Sequence, residues 1–320
     1  MWSFRPILKD TIWGGSDLAP FKGLSSPRPG LGESWEISGV EGSESVVADG
    51  PDEGLTLSAL IGRYGVELMG KLNYKKYGDR FPLLIKFIDA AADLSVQVHP
   101  DDEMARSLGH NNGKTEMWYV VKAKKGARLA LGFNREIAPD EFAGLIRSGE
   151  IEDALRFIPV EKGEAFLIPA RVVHAIGKGI MVAEIQQTSD DTFRLYDYRR
   201  KDAEGKERTL HIELGTKASD LSFTGGKPQD YKPIRNIPVN LATTPYFTTN
   251  VLHLDMEVMR AYREFDTFVI LIATEGKATV ACGDETRELC AGHTLLLPAS
   301  ASGITITPQK KFSCLETYIR

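Results

Sequence analysis

Gln97, His99, Glu116 and His174 are the residues of this chain whose types and spacing best suit a divalent metal site. Two imidazoles, a carboxylate and an amide oxygen form a ligand set that binds Zn(II), and that also accepts Mn(II), Fe(II) or Co(II). Because the protein fills four positions at most, a water or a substrate oxygen can still reach such an ion. The four residues therefore predict metal-assisted chemistry.

Short β-rich segments must bring these four residues together. Gln97 and His99 lie two apart in the stretch LSVQVHPDD, and alternate residues of an extended strand point to the same face. Glu116 opens the strand-like run EMWYVV after a loop rich in glycine and asparagine. His174 follows much later, in another extended run that a proline and a glycine delimit. We expect a small β-barrel that encloses the ion.

A single histidine in an apolar strand is more often a hydrogen-bonded core residue than a metal ligand. That is our interpretation of the histidines outside the ligand set, and of His253 in NVLHLDM above all. The two histidines of the set differ, because a glutamine and a glutamate stand at matching positions. Burying all four without a metal would leave costly unpaired polar groups.

Composition narrows the class of protein without naming a function. The chain has 320 residues, of which 42% are hydrophobic and 26% charged, as in a globular protein that folds without disulfides. A formal net charge of −5 gives no footprint for nucleic acid or for an anionic membrane surface. The sequence has no apolar run of transmembrane length, and its first 15 residues have no continuous apolar core of the kind that a signal peptide carries. Three cysteines, all in the last 40 residues, predict free thiols in the cytoplasm.

Two stretches carry helical periodicity, residues 54–72 and 138–158, among otherwise β-rich segments. Residues 225–245 are rich in proline, glycine and polar side chains, which is typical of a linker. We therefore predict a catalytic metal-binding domain with helical insertions at residues 1–228. A second, degenerate barrel is predicted at residues 229–320.

An internal repeat supports this division. Glu116 and Asp266 each stand ten positions before a glycine, with an apolar strand between, and the pattern Gly-x5-Pro-Ala recurs downstream of both. Five residues past each proline, the first copy has His174 and the second has Gly303. The alternative is that two unrelated β-hairpins look alike. If the repeat is real, the second copy has kept the scaffold and lost a ligand.

Several longer motifs resemble type I mannose-6-phosphate isomerases in their short bacterial form. They include LSVQVHPDD, GKTEMWYVV, FLIPARVVHAIGKGI and EIQQTSDDTFRLYDY, with TIWGG and GESWEIS near the amino terminus. The resemblance covers about two thirds of the chain. One departure is Thr115, which stands between Lys114 and Glu116 where many relatives have proline. That change alters a loop turn and leaves both charged residues in place.

The resemblance implies the fold and the activity of that family. The fold is mainly β, with two cupin-type (jelly-roll) barrels and a small helical insertion in the first. The activity is the interconversion of mannose 6-phosphate and fructose 6-phosphate, with one zinc ion per subunit. The metal ligands of the family fall on Gln97, His99, Glu116 and His174, and its catalytic arginine falls on Arg194.

Moving a carbonyl between two sugar carbons requires cations that stabilise negative oxygens. Arg194 presents a rigid fork of donors and could hold a developing oxyanion, although a surface arginine is the plain alternative. Lys86 lies in the apolar strand PLLIKFIDA, where an unpaired ammonium would be expensive, so we expect it to face a wet cavity and bind substrate. Lys114, beside a predicted ligand, is a second cation for binding and catalysis, unless it is a solvated loop lysine.

Glu184 in GIMVAEIQQ is predicted to be catalytic, either as the general base or as an acceptor for a sugar hydroxyl. Trp13 and Glu36 are predicted to bind substrate. Trp35 and Trp118 could also wall the site, although aromatic residues in a β-barrel more often belong to the core.

Three functions from different classes remain open at this point. The first is the zinc-dependent isomerase, acting on a small-molecule sugar phosphate without nucleic-acid or membrane partners, as a monomer or homodimer. The second is another metal cupin enzyme, such as an iron or manganese oxygenase or a different isomerase, because a fold alone does not decide function. The third is a non-catalytic sugar-phosphate sensor.

Overall fold

The structure is a computed structural model that describes residues 1–201 and 204–319, and it is mainly β, as predicted. The strands are β1 (Phe4–Arg5), β2 (Ile7–Gly15), β3 (Leu31–Ile37), β4 (Gly39–Val40), β5 (Ser43–Glu44), β6 (Val46–Val47), β7 (Leu83–Ala90), β8 (Val96–Val98), β9 (Glu116–Ala123), β10 (Arg128–Phe133), β11 (Leu155–Pro159), β12 (Ala165–Ile168), β13 (His174–Ala175), β14 (Ile180–Gln187), β15 (Phe193–Tyr196), β16 (Val239–Thr243), β17 (Thr248–Leu254), β18 (Val258–Ala261), β19 (Val269–Cys282), β20 (Glu285–Cys290), β21 (Thr294–Leu297) and β22 (Gly303–Tyr318). The helices are α1 (Leu18–Phe21), α2 (Leu57–Tyr64), α3 (Val66–Met69), α4 (Lys71–Tyr77), α5 (Asp102–Ser107), α6 (Pro139–Ser148) and α7 (Ile212–Ala218).

Two antiparallel sheets carry the predicted ligands. One runs in the order β12-β9-β14-β7-β2-β3, and the other in the order β11-β10-β13-β8-β15. Apolar side chains from both sheets pack into one core, among them Ile88, Val120 and Leu129. The interior of this part of the chain therefore lies between the two sheets.

Strand register places the polar side chains of the first sheet on its inner face. Glu184 of β14 lies directly opposite Lys86 of β7 on one side and Trp118 of β9 on the other. Two residues further along β14, and so on the same face, Gln186 lies opposite Glu116. Because directly opposed residues point to the same face, the register alone gathers these side chains over one patch of the sheet.

The second sheet supplies the opposite wall. Gln97 of β8 lies between His174 of β13 and Arg194 of β15 in the register. The neighbouring residues Phe193 and Leu195 point the other way, into a separate apolar core that α6 and α7 cover. Arg194 therefore shares the face of Gln97.

The predicted helix over residues 54–72 is interrupted twice. Thr56 caps α2 by accepting a hydrogen bond from the amide of Ala59. Gly65 and Gly70 then separate α2, α3 and α4 with φ angles of +49° and +83°. A Cβ atom on Gly70 would lie 2.0 Å from the carbonyl oxygen of Asp266, so the close approach of another segment forces this break.

The predicted helix over residues 138–158 is shorter than its periodicity suggests. It begins at Pro139 and ends at Ser148, and Gly149 caps it in the left-handed conformation. A 3₁₀ turn follows at Ile151–Ala154. The last four residues of the predicted range lie in β11, because their backbone pairs with β10.

The carboxy-terminal part of the chain forms a third sheet, in the order β16-β17-β22-β19-β20, with β18 paired to β22 and β21 paired to β19. It has its own apolar core, but a larger core joins it to the first sheet. That core contains Phe87 and Ile185 from the first sheet together with Phe268, Ile270 and Leu315. The division at residues 228 and 229 and the description as two jelly-roll barrels with a helical insertion stay predictions.

Substitution of Phe268 tests whether the two parts depend on each other. Phe268 is fully buried in the shared core and its ring centroid lies 4.7 Å from that of Phe81. Phe268→Ala should lower the free energy of unfolding by about 3–5 kcal/mol. Trp13, Trp35 and Trp118 lie in the first part, whereas Trp2 pairs with Leu296 of the third sheet, so in a Trp2→Phe background the tryptophan fluorescence during urea unfolding reports the first part alone. We expect its midpoint to fall together with that of the far-UV circular dichroism.

Met259→Ala is the control for this substitution, because Met259 is 80% exposed and its loss should change stability little. A fluorescence midpoint that stays in place in Phe268→Ala, while the dichroism signal shifts, would show two independent units.

Candidate metal centre and active site

Three of the predicted ligands converge in a fully buried group. The ligand atoms of His99, Glu116 and His174 all lie within 4.8 Å of one another. The Nε2 atom of His174 is 3.3 Å from Glu116 Oε1, and the Nε2 atom of His99 is 3.5 Å from Glu116 Oε2. This group could hold a metal ion.

Backbone carbonyls orient both imidazoles. The Nδ1 atom of His99 is 2.7 Å from the carbonyl oxygen of Asp191, and that of His174 is 2.8 Å from the carbonyl oxygen of Val172. Each Nδ1 therefore carries the proton and donates it, which leaves the Nε2 lone pair facing the centre. Burial lowers the pKa of His174 to about 4 and holds that of His99 well below its usual value. Both rings are neutral at pH 7, as metal binding requires.

Gln97 completes the predicted ligand set. Its side-chain amide nitrogen lies 3.3 Å from His174 Nε2. Rotation of the amide by half a turn exchanges the positions of its nitrogen and oxygen, so the oxygen can face the same centre.

The polar atoms at this centre require a cation. The Nζ atom of Lys114 lies 2.9 Å from His99 Nε2 and 2.5 Å from Glu116 Oε2, so an ammonium group meets these acceptors. Glu116 Oε1 faces the His174 lone pair, and no donor within the described residues reaches it. Burial raises the pKa of Glu116 to about 7, although the charge of Lys114 opposes that shift. The residues present thus fit a divalent metal, which would satisfy every one of these acceptors.

Lys86 lies beside this group on the first sheet. Its Nζ atom is 3.4 Å from Glu184 Oε1 and 4.7 Å from the ring centroid of Trp35. The indole nitrogen of Trp118 donates to Glu184 Oε2 at 2.9 Å. Burial opposes the charged forms of both Lys86 and Glu184, but their mutual attraction prevails, raising the pKa of the lysine and lowering that of the glutamate. The site therefore holds an ionised carboxylate and an ammonium side by side.

Sequence reasoning missed two residues here. Glu33 of β3 lies 3.9 Å from Lys86 Nζ, and its carboxylate accepts a hydrogen bond from the indole of Trp35. Lys9 of β2 places its Nζ atom 3.2 Å from the Trp35 ring centroid, so two ammonium groups contact one indole. In the sequence, the only signal for Glu33 is that it lies two residues before Trp35 and so shares its face of the strand. That spacing indicates a place in the site only when Trp35 is known to lie opposite Lys86.

Arg194 is half-buried on the edge strand β15. Its Nη1 atom donates to the carbonyl oxygen of Thr209, and its backbone amide donates to Nδ1 of His211. Its Nε atom is buried and has no hydrogen-bond partner among the residues that the structure describes. A donor in that condition is available for an acceptor such as a substrate oxygen.

The structure does not bring Glu36 to this group. Its carboxylate accepts hydrogen bonds from Lys22 and Ser34, and Lys22 also donates to the carbonyl oxygen of Gly292. Through Lys22, Glu36 therefore helps to fix a contact with the carboxy-terminal part, and its carboxylate does not lie beside Lys86. Trp13 is only 5% exposed and belongs to the core between the two sheets. For both residues, substrate binding stays a prediction from the sequence.

Residues 1–129 match the family model described as phosphomannose isomerase type I, catalytic domain. The chain is 38% identical over 300 residues to mannose-6-phosphate isomerase ManA of Bacillus subtilis (strain 168), covering 92% of each protein. It is also 38% identical over 292 residues to the mannose-6-phosphate isomerase of Streptococcus mutans, covering 90% of this chain and 89% of that protein. The chain belongs to the mannose-6-phosphate isomerase family. This confirms the family predicted from its motifs.

A solved structure agrees with this assignment. The crystal structure of mannose 6-phosphate isomerase from Bacillus subtilis has a TM-score of 0.88 with this chain, at 31% identity and with 99% of both chains covered. The mainly β fold that the motifs predicted for this family is thereby confirmed. None of the helices in the described ranges has the length and apolar character that crossing a lipid bilayer demands.

His174→Ala should remove the bound metal, because it deletes one of two neutral nitrogen ligands. Elemental analysis after zinc loading and dialysis should find about one zinc per chain in the unaltered protein and almost none in this variant. His293→Ala is the matched control, since His293 is exposed in the carboxy-terminal part and should leave the metal content unchanged. Stoichiometric zinc in His174→Ala would show that the ion lies elsewhere.

Proposed function

We propose that the protein is a zinc-dependent mannose-6-phosphate isomerase, which interconverts mannose 6-phosphate and fructose 6-phosphate. The observation that carries this proposal is the meeting, in one buried group, of a metal-type ligand set with two lysines and a second carboxylate. The two mannose-6-phosphate isomerases to which the chain is 38% identical support the same activity.

Gln97, His99, Glu116 and His174 would hold the ion. Zinc is our choice among the divalent metals because two imidazoles with a carboxylate and an amide oxygen suit a borderline cation. A divalent ion here supplies Lewis-acid polarisation of the sugar carbonyl and its neighbouring hydroxyl.

The isomerisation moves one proton from C2 to C1 and a second proton between the two oxygens. We assign the transfer between carbons to Glu184, because it lies beside Lys86 at the ligand group and its lowered pKa leaves the carboxylate unprotonated at pH 7, as a general base must be. Lys114, whose ammonium already contacts the ligand group, would exchange the proton with the oxygens. Arg194 would hold the oxyanion of the enediolate through its Nε atom, which no acceptor among the described residues occupies.

Lys86 would bind the phosphate or a sugar hydroxyl. Its pKa is raised, so it stays charged despite its burial, and a dianionic group can share it with Glu184. Lys9 extends this cationic surface across the Trp35 ring. The cytoplasm as the location of the protein, and a monomer or homodimer as its assembly, stay predictions from the sequence.

The direct test is an assay of fructose 6-phosphate formation by the purified, zinc-loaded protein. We expect a kcat of roughly 1–1,000 per second, as for most enzymes. Oxygen consumption, measured in parallel, should be absent, which separates an isomerase from an oxygenase. Lack of turnover that neither zinc nor cobalt restores would reject the proposal.

Arg194→Ala should retain zinc and lose kcat by about 10²–10³-fold, since it removes a donor that acts mainly in the transition state. Steady-state kinetics and metal analysis on the same preparation would measure both effects. Arg235→Ala is the control, because the Arg235 side chain is 75% exposed and pairs only with Asp255 within the described chain. Full turnover by Arg194→Ala would exclude its catalytic role.

A further inference from the structure

The loop that carries Lys114 is held by backbone hydrogen bonds on both sides of the lysine. The amide of Gly113 donates to Asp102 Oδ1 at 2.8 Å, and the amide of Thr115 donates to Gln187 Oε1 at 2.9 Å. The amide of Lys114 itself donates to the carbonyl oxygen of Pro100 at 3.0 Å. These bonds decide where the Lys114 ammonium meets the predicted metal ligands.

The carboxylate of Asp102 links the two sides of this loop. Besides Gly113, it accepts a hydrogen bond from Gln187 Nε2 at 3.0 Å, so the two side chains that hold the loop also hold each other. The fit is tight, because a Cβ atom on Gly113 would lie 2.5 Å from the carbonyl carbon of Asp101. Burial would raise the pKa of Asp102, but the hydrogen bonds that it accepts lower it, so the carboxylate is ionised at pH 7.

The remaining oxygen of Asp102 is bound by the carboxy-terminal part of the chain. The hydroxyl of Tyr246 donates to Asp102 Oδ2 at 3.0 Å, across 144 positions of sequence. Tyr246 lies in a tight turn between β16 and β17, in which Thr244 Oγ1 accepts hydrogen bonds from the amides of Tyr246 and Phe247. Phe247 is buried in the shared core, so the turn that presents the hydroxyl is itself anchored.

We infer that Tyr246 is a positioning residue of the active site, through which the carboxy-terminal part holds the Lys114 loop in its working place by way of Asp102 and Gln187. The effect on catalysis rests on the proposed function, in which Lys114 exchanges a proton with substrate oxygens. The effect on the position of the loop does not depend on that function. Small displacements of a catalytic group cost large factors in rate, so one remote hydroxyl is enough to matter.

Tyr246→Phe removes the hydroxyl and keeps the ring that packs against the shared core. We expect kcat to fall about fivefold at 25 °C, with zinc content unchanged and KM altered less than kcat. Tyr231→Phe is the matched control, because its hydroxyl also ties the two parts together but donates to the carbonyl oxygen of Gly163, away from the loop. It should keep the kcat of the unaltered protein.

Hydrogen exchange gives a readout that needs no activity. Peptides covering residues 109–117 should exchange about tenfold faster in Tyr246→Phe and at the normal rate in Tyr231→Phe. If the unaltered protein had no isomerase activity, this measurement would still decide whether Tyr246 holds the loop. Unchanged exchange in Tyr246→Phe would overturn the inference.

A double-mutant cycle tests the route through Asp102. Asp102→Ala should cost at least as much kcat as Tyr246→Phe, and adding Tyr246→Phe to it should cost nothing more. Asp102→Asn keeps an acceptor for Gly113 and Gln187 and can donate to the Tyr246 oxygen, so it should keep most of the kcat. Additive losses in the double variant, or equal losses in Tyr231→Phe, would show a general effect on stability instead.

Discussion

The structure depends on one electrostatic requirement: a carboxylate with no exposure to water must meet a cation. Glu116 is buried in a position that two imidazole lone pairs also face. An isolated charge in such a place would cost several kcal/mol, so it either takes up a proton or finds a positive partner. Lys114 provides that partner from two residues away, and a divalent ion would provide a stronger one. The surrounding network of lysines and carboxylates can be understood as balancing this centre.

The charge balance of the site also suits a phosphorylated substrate. Glu116 and Glu184 are matched by Lys86 and Lys114, so the buried group is close to neutral before a metal binds. A divalent cation would leave an excess of positive charge that buried side chains alone do not cancel. A sugar phosphate carries nearly two negative charges at pH 7, so it restores the balance when it enters. The same electrostatics that admit the metal therefore favour an anionic substrate.

The predictable part of the site is the part that local spacing decides. His99 follows Gln97 by two positions, and that alternation predicted a shared face without any tertiary information. Local spacing does not say which strands are neighbours. Glu33 joins the site because β3 pairs with β7, whereas Glu36 faces away. The two glutamates are three residues apart, so strand alternation places them on opposite faces, and only the pairing with β7 decides which of those faces meets the site.

The internal repeat also shows that spacing along the sequence does not decide how strands pair. In the first copy, Glu116 lies opposite Ile168. In the second copy, Leu297 is the equivalent of Ile168, but it lies opposite Val269. Val269 comes three residues after Asp266, the residue that aligns with Glu116. The strand pairing recurs, but the acidic residue now precedes the strand and accepts hydrogen bonds from the amide of Lys71. An apolar residue fills the position that faces a ligand group in the first copy. Val269 enters the core of the carboxy-terminal sheet and its neighbour Ile270 enters the shared core, so this strand alternates between two apolar interiors, as Met117 and Val120 do on β9.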